Sequence, residues 1–375
     1  MNSYYNPVHT IQGPGSLAQL PELLQSLPKD QRRILILAWS EGTLHHLVFA
    51  GLLAANREFE VRSLVFTASN PTVDQLFDAW KDTCEFCPHV VIGVGGGTIL
   101  DVAKSLCCLY GCELNSADDL RRRIVAGDLK PAARWIGVPT TAGTGSEVTC
   151  WATIWDPERD AKRSLESKEN YAWAAFVDPE LAQGMPIKLA VSSALDAVAH
   201  AVESYWARRT NAVSRALALE AIRTIMRQID NLFSDQIEAH DAMARGSMLA
   251  GLAFSNTKTT ACHSISYPLT MHYGIPHGAA VAMLLAPVLE MNVPVTSGMD
   301  RLLEALGAEN AAGLKKRVSD LLERSGQPST LKGWGVQRGD LTRLAALGIT
   351  KGRADNNPAE LESEKIERML NSIYE

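Results

Sequence analysis

The chain has 375 residues, of which 46% are hydrophobic and 21% are charged, and its formal net charge at pH 7 is −6. This length predicts two domains, and the composition is that of an ordinary globular protein. The acidic balance argues against a nucleic-acid or anionic-membrane partner. No apolar stretch is expected to reach the roughly 18 residues that cross a bilayer, and the N-terminus lacks the basic and apolar regions of a secretory signal. We therefore expect a cytoplasmic protein.

Two short motifs are interpreted as structural. The seven cysteines are an odd number in a long chain, which is not typical of a disulfide framework. Cys84 and Cys87 form a CxxC pair, but no second pair follows, so a zinc or redox site is not expected. The basic run at 121–123 follows two aspartates and is interpreted as a solvated helix face.

Five apolar runs in the first half of the chain predict β-strands, at 34–38, 61–66, 89–94, 135–138 and 174–177. Because these runs are continuous rather than alternating, both faces of each strand are expected to be covered, as in a parallel α/β sheet. Helices are predicted to begin near Gly42 and at Pro71, with Asn70 as the cap. Helical periodicity dominates from Lys188 onward. We place an α/β domain at 1–184 and an all-α domain at 185–375.

Two polar turns follow predicted strands. The first consists of Gly95, Gly96, Gly97 and Thr98 and opens a helix, where free backbone N–H groups favour a phosphate. A tight turn without a ligand would need the same glycines. The second, at 139–147, combines four hydroxyl side chains with two glycines, a composition that suits a diphosphate and a ribose at the end of a parallel strand. Its alternative interpretation is a polar linker.

A further group of residues is typical of a metal site. Asp196 and His200 are four residues apart and share one face of a predicted helix that is otherwise apolar. His263 and His277 follow, the latter at a predicted helix start. One carboxylate and three imidazoles can enclose a divalent cation of the iron or zinc kind, although a buried histidine is more often an ordinary core residue.

These motifs in combination resemble the iron-dependent (group III) alcohol dehydrogenase family over essentially the whole chain. The most specific is the threonine-rich run at 139–149. The other matching residues are Gly95 to Thr98 with Asp101 and Lys104, the segments 177–180, 253–256 and 275–278, and Asp196 with His200.

The resemblance implies an oxidoreductase that moves hydride between NAD(P)H and a small alcohol or aldehyde, with an N-terminal dinucleotide-binding domain and a helical domain that binds one cation. Fe²⁺ is the family's usual metal, and zinc or manganese would satisfy the same ligands. The implied ligands are Asp196, His200, His263 and His277. Cofactor contacts are implied at Asn70, Gly95, Gly96, Gly97, Thr98, Asp101, Thr140, Thr141, Thr144, Thr149 and Lys162, and substrate contacts at Trp151 and Phe254. We expect a homodimer.

Two positions depart from the family pattern. Tyr267 stands where many members carry a histidine with a proton-relay role, so the phenol, bound water or His272 would pass the proton. At the end of the first long strand the chain has Trp39 and Ser40, where many NAD-preferring members carry an acid. A carboxylate there would repel a 2′-phosphate, so we expect NADPH to be accepted and even preferred.

The substrate is predicted from two cations. Lys258 and Arg353 occupy positions that lie near the substrate mouth in the family, where relatives mostly carry small or apolar residues. They would suit an anionic group on a small aldehyde, and the segment around His263 resembles phosphonoacetaldehyde reductases. Phosphonoacetaldehyde, reduced to 2-hydroxyethylphosphonate, is the leading expectation. The alternatives are two solvated surface charges with uncharged short-chain substrates, or a polyol dehydrogenase or dehydroquinate-synthase-like enzyme on the same fold.

Overall fold

A computed structural model of the chain describes residues 3–55, 58–159, 161–350 and 352–375. The chain divides into two compact units. The first contains Asn6–Thr141 and Ser146–Leu181, and the second contains Ala182–Glu375 together with Ala142–Gly145 and the N-terminal residues up to Tyr5.

The first unit is built on a six-stranded, fully parallel sheet. Its strands are β1 (His9–Gln12), β2 (Arg33–Ala38), β3 (Glu60–Val65), β4 (Val90–Gly95), β5 (Arg134–Pro139) and, after the hairpin formed by β6 (Trp151–Asp156) and β7 (Ala161–Glu166), β8 (Ala174–Val177). The spatial order is β1-β8-β5-β4-β2-β3. Every residue of β4 is buried, as its continuous apolar sequence predicted. All five predicted strands are present.

Helices cover the sheet of the first unit. They are α1 (Leu20–Gln25), α2 (Glu41–Leu44), α3 (Leu47–Ala54), α4 (Val73–Thr83), α5 (Gly97–Leu109) and α6 (Ala117–Ala126). One expectation about them was wrong, because the cap of α4 is Thr72 and not Asn70. The Thr72 hydroxyl accepts from the Gln75 backbone N–H, and the Gln75 side chain accepts from the Thr72 backbone N–H. This reciprocal pair satisfies two donors at the helix start.

The second unit is helical, as predicted. Its helices are α7 (Ile187–Trp206), α8 (Ala212–Gln228), α9 (Ile237–Thr257), α10 (Ala261–Tyr273), α11 (His277–Asn292), α12 (Met299–Leu306), α13 (Ala311–Arg324), α14 (Leu341–Leu347) and α15 (Ser363–Ser372). Every residue of α7 from Ala194 to Trp206 is buried, so this helix forms the axis of the unit's core.

The expectation that no apolar stretch is long enough to cross a bilayer needs correction. The segment His277–Val295 has 19 residues and is apolar enough to do so by length and composition. Two thirds of its most apolar part, 67%, is buried within the protein, as in the core helix of a globular protein. Its apolar character therefore reflects packing on all sides.

The basic run on α6 is not uniformly solvated, which corrects the prediction for Arg121. Its side chain is only 8% exposed, and its Nε lies 3.0 Å from Oδ1 of the fully buried Asp156 at the end of β6. Arg163 on β7 holds the other oxygen of Asp156 at 2.6 Å. Arg122, by contrast, has a side chain that is 71% exposed. The buried pair therefore ties α6 to the β6–β7 hairpin.

Replacing Arg121 by Met should lower the free energy of unfolding by about 2–3 kcal/mol, because it leaves a buried carboxylate with one partner instead of two. Arg122→Met is the matched control on the same helix and should change the free energy of unfolding by less than about 0.5 kcal/mol. Urea unfolding followed by circular dichroism measures both. Equal effects of the two substitutions would contradict a stabilising role for the buried pair.

Candidate functional site

Three helices of the second unit bring the predicted metal ligands together. Asp196 and His200 lie on the same face of α7 and are both buried, His263 lies in the first turn of α10, and His277 is the first residue of α11. The start of α11 packs closely on α7. A Cβ added to Gly278 would lie only 2.1 Å from the Ser192 carbonyl oxygen, so this position has no room for a side chain. Glycine at this position therefore lets His277 approach the α7 face.

The geometry of the cluster fits a cation. Asp196, His263 and His277 each offer one ligand atom, and these atoms all lie within 4.8 Å of one another. Oδ1 of Asp196 is 3.4 Å from Nε2 of His263 and 3.9 Å from Nε2 of His277. Oδ1 of Asp196 and Nε2 of His263 are both buried and make no hydrogen bond with any residue that the structure describes. Such atoms are costly to bury unpaired, and a divalent cation between them would satisfy both.

The charges of the cluster suit metal binding as well. Burial alone would raise the pKa of Asp196, but the neighbouring imidazoles of His200, His263 and His277 hold it below its usual range. Burial lowers the pKa of His200 to about 4, so this imidazole is neutral near pH 7. A charged carboxylate and a neutral imidazole are the forms that bind metals. Glu203 and Asp196 raise the pKa of His263 against the effect of burial, so a bound cation would displace a proton from this ring.

His200 lies beside the trio rather than within it. Its Nδ1 is 3.3 Å from the carbonyl oxygen of Gly143 and 3.9 Å from Oδ2 of Asp196. Its ring stacks on Phe254, at 4.2 Å between centroids, and lies 4.3 Å from the ring of His263. The role of His200 as a fourth ligand stays a prediction, while Phe254 is placed directly against the cluster.

Sequence reasoning missed Glu203. This fully buried carboxylate lies two helical turns beyond Asp196 on α7, and its Oε2 is 2.5 Å from Nδ1 of His263. Burial alone would raise its pKa, but the contact with His263 and hydrogen bonds from Thr260 hold it below its usual value. The spacing of 196, 200 and 203 places all three side chains on one helix face, and this was the signal that could have revealed it.

Tyr267 and Arg353 extend the cluster. The Tyr267 ring is buried and lies parallel to that of His277, with 6.0 Å between centroids and 9° between planes. The Arg353 guanidinium lies 5.0 Å from the centre of the Tyr267 ring. Burial raises the pKa of Tyr267, although Arg353 opposes the shift, so the phenol keeps its proton near pH 7. His272, the other proton carrier considered, is exposed.

The predicted phosphate turn lies in the first unit, where β4 passes into α5. A Cβ at Gly95 would lie 2.5 Å from Cγ1 of Ile99, so only glycine allows this approach of strand and helix. The turn is flanked by Thr141, whose Oγ1 would be 3.2 Å from a Cβ at Gly96. The Thr98 hydroxyl accepts from the backbone N–H of Asn70 at 3.4 Å. The structure thus gathers hydroxyls and glycine backbone at the carboxyl ends of adjacent strands.

Two of the residues predicted to contact the cofactor form hydrogen bonds with other residues of the protein. Thr149 is 1% exposed, and its hydroxyl accepts from Nζ of the buried Lys104 at 2.9 Å. The Asp101 carboxylate accepts from the Ser146 hydroxyl at 2.7 Å and from the Thr153 backbone N–H at 2.8 Å. These bonds fix the segment after β5 onto α5. Direct contact of Asp101 and Thr149 with a cofactor remains a prediction.

The remaining predicted residues are distributed over both units. Trp151 begins β6, and Lys162 on β7 lies with its Nζ 5.2 Å from the ring centre of Trp155. Thr140 follows β5 and donates its backbone N–H to the Gly95 carbonyl at 3.0 Å. Thr144, in contrast, belongs to the second unit.

The sequence pattern of iron-containing alcohol dehydrogenases matches residues 7–179, and that of the C-terminal region of the Fe-containing alcohol dehydrogenase family matches residues 190–374. The chain belongs to this family. It is therefore an oxidoreductase that interconverts alcohols and aldehydes, and the resemblance inferred from its motifs is confirmed.

Similar proteins include enzymes with charged and uncharged substrates. A phosphonoacetaldehyde reductase from Streptomyces viridochromogenes is 32% identical over 297 residues, 75% of either chain. An NADPH-dependent butanol dehydrogenase from Clostridium saccharobutylicum is 27% identical over 389 residues, which cover 98% of this chain and 97% of that one. The crystal structure of an iron-containing alcohol dehydrogenase from Thermotoga maritima matches with a TM-score of 0.85 and 28% identity, covering 100% of this chain and 99% of that one.

Proposed function

We propose that this enzyme reduces a small aldehyde that carries an anionic group, with phosphonoacetaldehyde as the leading substrate and 2-hydroxyethylphosphonate as its product. The observation that carries the proposal is the stack formed by Arg353, Tyr267 and His277. The Arg353 guanidinium lies against the Tyr267 ring, which itself lies parallel to the ring of His277, one of the candidate metal ligands. A planar guanidinium suits the oxygens of a phosphonate, which it binds in pairs.

Lys258 is connected to Arg353 by one buried side chain. The Asn356 amide donates to the carbonyl oxygens of Thr257 and Thr259, the two neighbours of Lys258, at 2.8 and 3.1 Å. The backbone N–H of Asn356 donates to the carbonyl oxygen of Arg353 at 3.0 Å. The turns that carry the two cations are therefore parts of one hydrogen-bonded framework, which favours a shared anion-binding role over two independent surface charges.

The candidate cluster and the family suggest how the reaction proceeds. When bound, a divalent cation at Asp196, His263 and His277 would polarise the aldehyde carbonyl, and NAD(P)H would supply the hydride. The Tyr267 hydroxyl retains its proton near pH 7 because burial raises its pKa. It is our candidate donor of the proton that the product oxygen requires, and Arg353 holds the anionic end of the substrate.

The metal assignment gives the first functional prediction. Removing divalent cations with a chelator should abolish aldehyde reduction, and His277→Ala should reduce it at least about a hundredfold. Binding of NADPH, followed by its fluorescence, should change little, because the phosphate turn belongs to the other unit. Added Fe²⁺, Zn²⁺ or Mn²⁺ should restore the chelated wild type but not the variant. Full turnover by rigorously metal-free enzyme would refute the assignment.

The charge of the substrate gives the second functional prediction. Arg353→Met and Lys258→Met should each lower kcat/KM for phosphonoacetaldehyde at least about tenfold, because a charge-assisted bond to the anion is lost. The value for propanal should change much less. Arg343→Met serves as the control, since this exposed arginine lies near Asp340 at the start of α14. If wild type prefers propanal, or the variants affect both aldehydes alike, the enzyme uses uncharged substrates, as the name of its butanol dehydrogenase relative suggests.

The preference between NADPH and NADH gives the third functional prediction. Trp39 directly follows β2 with 52% of its surface exposed, and the Ser40 hydroxyl accepts from the Thr43 backbone N–H at the start of α2. We infer that this uncharged pair admits a 2′-phosphate. Ser40→Asp should raise KM for NADPH about tenfold through repulsion and leave KM for NADH nearly unchanged. A wild-type enzyme that strongly prefers NADH in kcat/KM would be inconsistent with this assignment.

A further inference from the structure

Glu203 is surrounded by hydrogen-bond donors from a single short segment. This segment spans the last residues before α10 and its first turn. Its donors to the carboxylate are the backbone N–H and hydroxyl of Thr260, at 3.0 and 2.9 Å, the backbone N–H groups of Cys262 and His263, at 2.6 and 3.4 Å, and Nδ1 of His263, at 2.5 Å. A carboxylate with donors on both oxygens is held in its charged form.

The backbone part of this arrangement explains where α10 begins. The N-cap residue Thr260 makes no side-chain cap within its own helix, so the first N–H groups need another acceptor. The Glu203 carboxylate, which comes from α7, supplies it. The start of α10 is thereby fixed to α7, and His263 lies in the turn that is fixed.

The side-chain part of the arrangement determines the state of the His263 imidazole. When Nδ1 carries the proton and donates it to Glu203, Nε2 is left with its lone pair. Nε2 is the atom that faces Oδ1 of Asp196 at 3.4 Å, and among the described residues it has no hydrogen-bond partner. The tautomer that Glu203 selects is thus the one that can bind a cation at the cluster.

We propose that Glu203 is a positioning residue that holds His263 in the metal-binding tautomer and orientation while it caps α10. The inference rests on the proposed metal site. It predicts that the carboxylate cannot be replaced by the isosteric amide without loss of metal affinity, because the amide NH₂ cannot accept a hydrogen bond. In either orientation of the amide, at least two of the donors around it would then lose their acceptor.

The test compares Glu203→Gln with Ser204→Ala, the next residue on the same helix. Ser204 is also fully buried and accepts a hydrogen bond from the Thr257 hydroxyl at 3.1 Å, so this control loses one buried hydrogen bond without touching His263. Affinity for Co²⁺ would be measured by competition with a chromophoric chelator. Glu203→Gln should weaken it by roughly 10–100-fold, with an altered ligand-field spectrum, whereas Ser204→Ala should leave both unchanged. Fluorescence of bound NADPH checks that each variant is folded.

A second measurement does not depend on the variant. In ¹⁵N-histidine-labelled wild type loaded with Zn²⁺, the ring-nitrogen shifts of His263 should report a proton on Nδ1 and the metal on Nε2. A metal on Nδ1, or Co²⁺ affinity that is the same in wild type and Glu203→Gln, would overturn the inference even if the metal site is correct. Failure of the wild type itself to bind one Co²⁺ would instead overturn the proposed metal site, and the inference with it.

Discussion

The second unit depends on a carboxylate that the fold buries without giving it enough hydrogen bonds. Asp196 lies in the middle of a helix whose residues from Ala194 to Trp206 are all buried, yet within the described part of the chain its Oδ1 has no hydrogen bond. Burying a charge is unfavourable unless other groups compensate for it. The three imidazoles around it compensate for this cost, as the lowered pKa of the carboxyl indicates. The buried Oδ1 that faces Nε2 of His263 at 3.4 Å is the physical reason to place a cation there.

The same constraint accounts for the surrounding helices. For α10 and α11 to deliver imidazoles to α7, their first turns must come very close to it. Glu203 makes this possible for α10 by accepting its first N–H groups, and Gly278 makes it possible for α11 because it has no side chain to collide with Ser192. The site is therefore built from two helix starts pressed onto one helix, rather than from loops, which favours the rigid geometry that metal ligands need.

Prediction from sequence succeeded where local patterns determine structure. Continuous apolar runs identified the strands, since burial on both faces of a parallel sheet leaves no alternation. Prediction failed where a residue outside the local pattern determines the surroundings or the role of a side chain. Arg121 looked like a surface charge because its partner Asp156 is 35 residues away, and Asn70 looked like a cap because the capping pair of Thr72 and Gln75 lay two residues further on. Glu203 went unnoticed because its donors follow it by about 60 residues.

Under the proposed function, the position of Tyr267 links proton transfer to substrate choice. Its ring is parallel to the imidazole of His277 and lies 5.0 Å from the guanidinium of Arg353, so the residue proposed to donate the proton also contacts the residue proposed to bind the anion. A histidine could not fill this place equally well, because a protonated imidazole would repel the nearby guanidinium. A protonated phenol is neutral, unlike a protonated imidazole, so it does not repel the guanidinium, and its ring face attracts the cation. Under the proposed function, Arg353 and Tyr267 form one adaptation, in which an anion-binding group next to the reaction centre requires an uncharged proton donor.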